Sequence, residues 1–251
     1  MAHDKKVVLV TGGSRGIGRA ICEAAAASGH AVAFNYRSDD AAAESLRDGI
    51  EAAGGEVLAV KADIAATDAI DALFAAVDAR FGRLDALVNN AGITGRASRF
   101  MDSAPETIEQ VMRVNVLALI EACRAGAARM ALSRGGRGGS IVNISSGAAQ
   151  TGSPNTYVWY GASKAAVDAF SKGLAVELAA DGIRVNVVAP GITDTDIHTS
   201  GGRSLNHEEV AKAIPMGRMG RPEEIARPVL FLMSDAASYI TGANLRIGGG
   251  R

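Results

Sequence analysis

Short, almost continuously apolar runs alternate along this chain with longer, alanine-rich segments in which polar residues recur at helical spacing. The short runs predict buried β-strands, and the longer segments predict helices. The predicted strands are Val7–Thr11, Ala31–Tyr36, Val57–Ala62, Asp85–Asn89, Ser140–Ser145, Ile183–Ala189 and Asn244–Ile247. The predicted helices are Gly16–Ser28, Ala41–Ala53, Asp68–Phe81, Ala104–Leu132, Tyr157–Ala180 and Pro222–Met233. Ser103, with Glu106 three residues later, predicts a capping box at the start of the longest helix. Because apolar strands that alternate with helices belong to parallel sheets covered on both faces, the pattern predicts an α/β fold.

No linker-like segment interrupts this alternation, so we expect residues 1–251 to form a single domain. The longest irregular stretch, Pro190–Pro215, is polar and carries Gly201 and Gly202 near its middle. Loops of this length in compact domains are usually lids or binding loops. We therefore expect a substrate lid at residues 192–214.

Composition and charge argue against several classes of protein. Hydrophobic residues make up 48% of the 251 residues and charged residues 21%, which predicts a folded protein with a sizeable core. The net charge of −1 argues against nucleic acid or a membrane surface as a partner, and no apolar run is long enough to cross a membrane. The polar segment Met1–Lys6 does not resemble a signal peptide, so we expect a cytoplasmic protein. The two cysteines and four histidines form no cluster, so no metal site is predicted, and Cys22 and Cys123 are expected to be buried free thiols.

A glycine-rich loop, TGGSRGIG at residues 11–18, follows the first predicted strand and opens the first predicted helix. Glycines allow a tight turn and a close approach of the backbone to a pyrophosphate, whose charge then meets the helix N-terminus. A plain strand-to-helix turn also uses glycine, but the strand–turn–helix context favours dinucleotide binding. The residues predicted to bind are Gly12, Ser14, Arg15, Gly16, Ile17 and Gly18.

Tyr160 and Lys164 are four residues apart on a predicted helix and therefore share one face. A tyrosine, with a pKa near 10, is a poor base at neutral pH. We expect the lysine cation to lower the pKa of Tyr160, so that the phenol acts as a general acid or base on a carbonyl or an alcohol. Two unremarkable neighbours on an amphipathic helix are the alternative interpretation. Tyr157 has no lysine four residues later and is not expected to be catalytic.

Together these motifs give the chain a family resemblance. Six features follow one another along the chain: the glycine spacing G-x-x-x-G-x-G, Asn89-Asn90-Ala91-Gly92, Asn115, Tyr160 with Lys164, Pro190-Gly191 and Tyr239–Gly242. In these features the chain resembles the short-chain dehydrogenase/reductase family. Within that family it is most similar to single-domain enzymes that include 3-oxoacyl-carrier-protein reductases and sugar or polyol dehydrogenases. The resemblance implies a Rossmann-type, doubly wound parallel sheet of about seven strands and a homotetramer.

The resemblance also implies roles for individual residues. It assigns the substrate-positioning serine to Ser146, although the family usually places that serine thirteen residues before the tyrosine, where this chain has Gly147. Ser146 lies fourteen residues before Tyr160, and Ser145 is its competitor. Asn115 is expected to hold a water in a proton relay with Lys164. The alternative is a helix asparagine whose side chain only forms a hydrogen bond with the backbone. The resemblance places Asp63 and Ile64 at the adenine, Asn90 and Gly92 at the adenosine ribose, Lys164 at the nicotinamide ribose, and Ile192–Thr195, with Thr193 and Thr195, near the nicotinamide amide. The other residues expected to bind the cofactor are Ala91, Tyr160, Pro190 and Gly191.

The end of the second predicted strand favours NADP(H) over NAD(H), although NAD(H) stays possible. NAD enzymes usually place an acidic residue there for the ribose 2′-hydroxyl, and this chain has Tyr36 instead. Arg37 and Ser38 follow at once, and Arg15 lies in the glycine loop, so two guanidiniums can face a 2′-phosphate. The alternative is that Arg37 only points into solvent beside Asp39 and Asp40.

The sequence therefore predicts an NADP(H)-dependent oxidoreductase that interconverts a ketone and a secondary alcohol in a small molecule. The alternatives are an NAD-dependent sugar or polyol dehydrogenase and a regulator that senses NADP without catalysis. No residue pattern names the substrate. Arg96 and Arg99 can attract an acid group, although exposed loop arginines usually face solvent.

Overall fold

The computed structural model of this chain describes residues 5–197, 201–202 and 206–251. Its centre is one sheet of seven parallel strands in the order β3-β2-β1-β4-β5-β6-β7. The strands are β1 (Val7–Val10), β2 (Ala31–Tyr36), β3 (Val57–Lys61), β4 (Ala86–Asn89), β5 (Gly139–Ile144), β6 (Ile183–Pro190) and β7 (Asn244–Ile247). The predicted single-domain, doubly wound α/β fold is confirmed.

Helices cover both faces of the sheet. They are α1 (Gly16–Ala27), α2 (Asp40–Ala52), α3 (Ala69–Phe81), α4 (Pro105–Met112), α5 (Ala118–Met130), α6 (Ala148–Thr151), α7 (Val158–Leu178), α8 (His207–Lys212) and α9 (Pro222–Met233). Successive strand residues point to opposite faces, so Val7 and Leu9 pack with α3, α5 and α7, whereas Val8 and Val10 pack with α1, α2 and α9. This alternation explains why the strands are apolar at nearly every position.

The longest predicted helix, Ala104–Leu132, is divided in the structure. A π-helical segment, Arg113–Leu117, separates α4 from α5. The predicted capping box is wrong: α4 begins at Pro105 after Ala104, and the Ser103 hydroxyl donates to the Phe100 carbonyl instead. Proline already has the φ of a helix and needs no amide partner at the first position, so the helix starts there without a side-chain cap.

The loop after β6 was predicted to be a lid and is described in part. Residues 198–200 and 203–205 of the predicted lid lie outside the described residues. In the described part, Thr193 bridges to Gly220, and the Ala97 amide donates to the Gly201 carbonyl, 2.9 Å away. Helix α8, like α6, is too short for periodicity to predict. In the part of the chain that the structure describes, no helix is long and apolar enough to span a membrane.

Candidate active site

A cavity of about 1040 Å³ lies at the carboxyl ends of the strands, where the chain leaves β1, β4, β5 and β6. Parallel α/β sheets bind their ligands at this edge, beside the point where the strand order reverses. Every residue predicted for the site lines this cavity except Asn115, which is fully buried behind it. One end of the cavity contains the glycine loop, and the other contains Ser146 and Tyr160.

The glycine loop is held by a buried asparagine. The Asn35 side-chain oxygen accepts from the Gly12 amide at 2.9 Å, and its backbone oxygen accepts from the Gly13 amide at 2.9 Å. The Asn35 side-chain nitrogen donates to the Ala62 carbonyl, also at 2.9 Å. Asn35 was not predicted to belong to the site. The signal that marks it is a single polar residue within an otherwise apolar strand.

Gly18 allows the loop to close onto the strand after β4. The Asn90 side-chain nitrogen donates to the carbonyls of Thr11 and Gly12, at 3.0 and 2.9 Å. A Cβ on Gly18 would clash with the Gly12 carbonyl and would lie only 2.5 Å from the Asn90 side-chain nitrogen. The third glycine of the motif is therefore required by packing, and the same packing fixes Asn90 beside the cavity.

Among the described residues, no side chain caps the N-terminus of α1. Arg15 precedes the helix without offering a side-chain acceptor, and the first turn contains no acidic residue. Helix α2 differs, because the Asp39 carboxylate accepts from the Ala42 amide at its start. The first amides of a helix have no partner within the helix and carry partial positive charge. The start of α1 is thus open to an anion in the cavity.

The far end of the glycine loop is positively charged. Arg15 and Arg37 are exposed residues of the cavity lining, and neither guanidinium forms a hydrogen bond or ion pair with another described residue. The carboxylates next to Arg37 in sequence are engaged elsewhere: Asp39 caps α2, and Asp40 pairs with Lys61 at 2.6 Å. Neither aspartate therefore pairs with Arg37, and the exposure of Arg37 also fits the alternative in which it only points into solvent.

The structure separates the two candidate serines. The Ser146 hydroxyl lies within hydrogen-bond reach of the Tyr160 phenol and lowers the pKa of that phenol, while its oxygen accepts from the Ala148 amide at 3.1 Å. The Ser145 hydroxyl points the other way and donates to the Lys164 backbone carbonyl at 3.2 Å. The side chain next to the tyrosine is therefore that of Ser146.

Lys164 is buried behind Tyr160. Its ammonium group donates to the Ile144 carbonyl at 2.8 Å and lies 5.8 Å from the centre of the Tyr160 ring. Burial lowers the pKa of Lys164 to about 8, and the nearby carboxylate of Asp168 opposes that shift. Burial also raises the pKa of Tyr160 to about 12, against the bond from Ser146.

The expectation that Lys164 brings the pKa of Tyr160 towards neutrality is therefore wrong for this structure. The reason is desolvation: a phenol removed from water resists ionisation, and the hydrogen bond from Ser146 only partly offsets that cost.

Asn115 lies in the π-helical segment and uses its side chain on the protein itself. Its side-chain nitrogen donates to the Ile93 carbonyl at 2.9 Å and to the Ser163 hydroxyl at 3.0 Å, and its side-chain oxygen accepts from the Ile93 amide at 2.9 Å. The amide thus joins α7 to the strand end after β4. Its predicted place in a water relay stays a prediction.

Known proteins share both this sequence and this fold. Residues 12–251 match the family model described as enoyl-(acyl carrier protein) reductase. The chain is 44% identical over 245 residues to the uncharacterized oxidoreductase YgfF of Escherichia coli, covering 98% of this chain and 99% of that protein. It is 41% identical over 246 residues to a 3-oxoacyl-[acyl-carrier-protein] reductase of Synechocystis, covering 98% and 96% of the two chains. The chain belongs to the short-chain dehydrogenase/reductase family.

A solved short-chain dehydrogenase from Burkholderia cenocepacia J2315, in complex with NADP, superimposes with a TM-score of 0.89 at 37% identity. The match covers 98% of this chain and 97% of that one. The chain is thus an enzyme of the short-chain dehydrogenase/reductase family and an oxidoreductase, as the sequence predicted.

Two buried aromatic residues, Tyr157 and Trp159, pack around Tyr160 in this short-chain dehydrogenase/reductase. Tyr157 meets the Tyr160 ring edge-on, with ring centres 5.5 Å apart and planes at 84°. The Trp159 ring nitrogen donates to the Thr94 carbonyl at 2.8 Å and joins α7 to the loop that follows β4. Both rings are buried, so the catalytic tyrosine candidate is held by aromatic packing as well as by Ser146. Their placement depends on contacts between distant segments, which sequence spacing does not show.

Proposed function

We propose that this enzyme reduces a ketone to a secondary alcohol, or oxidises the alcohol, with NADP(H) as the hydride carrier. The observation that carries the proposal is the contact of Ser146 with Tyr160 at one end of a cavity whose other end is the uncapped start of α1. Such a cavity suits a reactive group at one end and an anionic anchor at the other.

The residues present fit a dinucleotide. The glycine loop and the first amides of α1 suit the pyrophosphate, and the segment Asn90–Gly92 and Asp63 line the wall where an adenosine would lie. Lys164 and the segment Pro190–Thr195 are assigned to the nicotinamide end. When bound, the nicotinamide supplies or accepts the hydride, and the oxidised form also brings a positive charge to the site.

The preference for NADP(H) rests on Arg15 and Arg37. Both guanidiniums lack a protein partner among the described residues, and no carboxylate stands at Tyr36, where NAD enzymes carry one. The Tyr36 hydroxyl is bonded to Asp40, and that carboxylate also pairs with Lys61 at 2.6 Å. A hydrogen bond to a charged group contributes about 1.5–3 kcal/mol, which corresponds to roughly 10- to 150-fold in affinity. The Burkholderia relative solved with NADP is consistent with this assignment.

Three side chains divide the proton chemistry. In reduction, the Tyr160 phenol donates a proton to the carbonyl oxygen as hydride arrives at carbon, and in oxidation the phenolate takes that proton back. The Ser146 hydroxyl donates to the same oxygen and holds it in place. Burial lowers the pKa of Lys164 to about 8, so its ammonium group can pass a proton onwards. Asn115 keeps the wall behind Lys164 rigid through Ile93 and Ser163.

The surroundings of the site are assigned as follows. The segment 192–214 acts as the substrate lid, because Thr193 and Thr195 line the cavity and Gly201 is bonded to the loop after β4.

The enzyme assembles as a homotetramer. Exposed apolar residues on α7, on β7 and beside it, among them Val176, Tyr239 and Leu245, support burial of this edge against another copy.

The test is a screen of ketones and secondary alcohols with NADPH, NADH and their oxidised forms, run beside Tyr160→Phe. We expect turnover with some carbonyl or alcohol, and a loss of about 10²- to 10⁴-fold in the variant without loss of cofactor affinity. Cofactor binding without turnover across the panel would instead favour a sensor. Efficient oxidation of sugars or polyols with NAD and not NADP would favour the dehydrogenase alternative.

A further inference from the structure

Arg246 lies on β7 at the opposite end of the cavity from Arg15 and Arg37, and nothing so far accounts for it. In the parallel pairing of β6 with β7, Arg246 stands beside Ala189. Ala189 shares a sheet face with Val185, which packs in the core covered by α7. The side chain of Arg246 therefore projects on the face of the sheet that carries Tyr160, near the end of β6.

The guanidinium of Arg246 lies between two glycines. A Cβ on Gly147 would be 3.7 Å from its terminal nitrogen Nη2, and a Cβ on Gly248 would be 3.5 Å from its Nε. Neither neighbour has a side chain that covers or pairs with the cation. Gly147 directly follows Ser146, and consecutive Cα atoms lie 3.8 Å apart, so Nη2 is within about 9 Å of the Ser146 Cα.

The Arg246 guanidinium has no partner in the described part of this chain. The residue lines the cavity, yet its guanidinium forms no hydrogen bond and no ion pair with any described residue. The carboxylates of Asp196 and Glu209 line the same cavity but form no ion pair with it there. An unpaired guanidinium beside the reacting oxygen raises the local positive potential where a substrate must lie.

We propose that Arg246 forms an acid-binding subsite, so that the substrate is a ketone or alcohol that carries a carboxylate or phosphate group near the reacting carbon. The planar fork of arginine matches both kinds of anion with paired hydrogen bonds. The distance from Ser146 suits a compact molecule, in which a few bonds separate the acid group from the carbonyl. This inference rests on the proposed ketone–alcohol chemistry and names the class of substrate for it.

Two other arginines provide the comparison that the test needs. Arg96 lines the cavity from the loop after β4, whereas Arg99, three residues later, is exposed and does not line it. Removal of the Arg99 charge alters the net charge by the same amount as removal of the Arg246 charge, without changing the cavity. Arg99→Met is therefore the matched control for Arg246→Met.

The experiment measures kcat/KM with NADPH for pairs of ketones that differ only in charge. The pairs are short 3-, 4- and 5-oxo acids with their methyl esters, and dihydroxyacetone phosphate with dihydroxyacetone; the first set tests carboxylate and the second tests phosphate. We expect at least one acid to exceed its neutral partner by about 10- to 150-fold in the wild type. Arg246→Met should remove that preference while the neutral partner keeps its kcat/KM, Arg246→Lys should retain part of it, and Arg99→Met should retain all of it.

The two proposals fail differently. If neutral ketones turn over but no acid is preferred, or if the preference survives in Arg246→Met, the acid-binding subsite is wrong and the ketone–alcohol chemistry stands. If no ketone turns over, calorimetric titration of the same acids and esters into the NADP-loaded enzyme still decides the subsite. Binding of an acid that is weakened by Arg246→Met and not by Arg99→Met would support it, and no binding of any acid would overturn it.

Discussion

Replacement of each of the two adjacent serines by alanine separates catalysis from packing. Ser146→Ala removes the hydroxyl that contacts the Tyr160 phenol, and Ser145→Ala removes one that contacts only the Lys164 backbone carbonyl. Each variant lacks one oxygen atom, and the two atoms belong to adjacent residues of the same loop. We therefore expect Ser146→Ala to lose most turnover and Ser145→Ala to keep most of it.

The sizes of the two effects do not overlap. Loss of one donor to an oxygen that gains charge in the transition state lowers kcat by about 10²- to 10³-fold. The neutral bond of Ser145 contributes about 0.5–1.5 kcal/mol, so even if all of it were lost from the transition state, kcat would fall by only about 2- to 13-fold. In the fold, Ser145→Ala loses its bond to the Lys164 carbonyl, whereas Ser146→Ala loses both the bond from the Ala148 amide and the contact with Tyr160. The unfolding temperature should therefore fall in both variants, by about 2–4 °C for each kcal/mol, and not less in Ser146→Ala.

The assay is single-turnover oxidation of bound NADPH with a carbonyl substrate that the screen identifies, beside thermal unfolding of all three proteins. An assay temperature well below all three unfolding temperatures ensures that a difference in rate is not a difference in folded fraction. A larger rate loss in Ser145→Ala than in Ser146→Ala would refute the assignment. It would mean that the loop changes conformation when substrate binds.

Three further predictions follow from the geometry. Arg37→Ala should lower the ratio of kcat/KM for NADPH over NADH by roughly 10- to 150-fold, and an unchanged ratio would remove Arg37 from cofactor selection. Asp168 has a buried carboxylate oxygen without a hydrogen-bond partner among the described residues, and its charge raises the pKa of Lys164. Asp168→Asn should lower that pKa further, so the alkaline limb of kcat against pH should move to lower pH; a limb that stays in place would contradict the coupling. Light scattering at micromolar concentration should give a mass near four chains, whereas a mass near 25.7 kDa would contradict assembly.

The sheet was predictable because its strands are buried on both faces. Strands such as β1 and β4 are buried at every position and do not alternate apolar with polar residues, as a strand with one face in solvent would. The glycines after β1 mark the turn into α1. The binding-site outline followed from the same logic, because parallel strands bring their carboxyl ends to one edge. Gly18 shows how strong that constraint is, since the close approach of Gly12 and Asn90 leaves no room for a Cβ.

The parts that could not be predicted depend on contacts between distant segments. The π-helical segment Arg113–Leu117 follows a helical pattern in sequence, and only its packing against α7 distinguishes it. The direction of the pKa shift of Tyr160 depends on burial by Tyr157 and its neighbours, which residue spacing does not encode. Arg246 lies 86 residues after Tyr160 in a short edge strand, and nothing in its local sequence distinguishes it from a surface arginine.

The bonds of Asn35 have a consequence for the thermodynamics of cofactor binding. One amide ties Gly12 and the end of β3 to β2, and the backbone of the same residue ties Gly13, so the glycine loop is immobilised by the protein alone. Glycine-rich segments lose more conformational entropy on becoming ordered than any others. Here that entropy is lost during folding, before any ligand arrives. Binding of the ligand therefore carries no further entropy cost for ordering the loop. The affinity of the loop for its ligand is therefore set in part by a residue of the strand interior that has no need to touch the ligand.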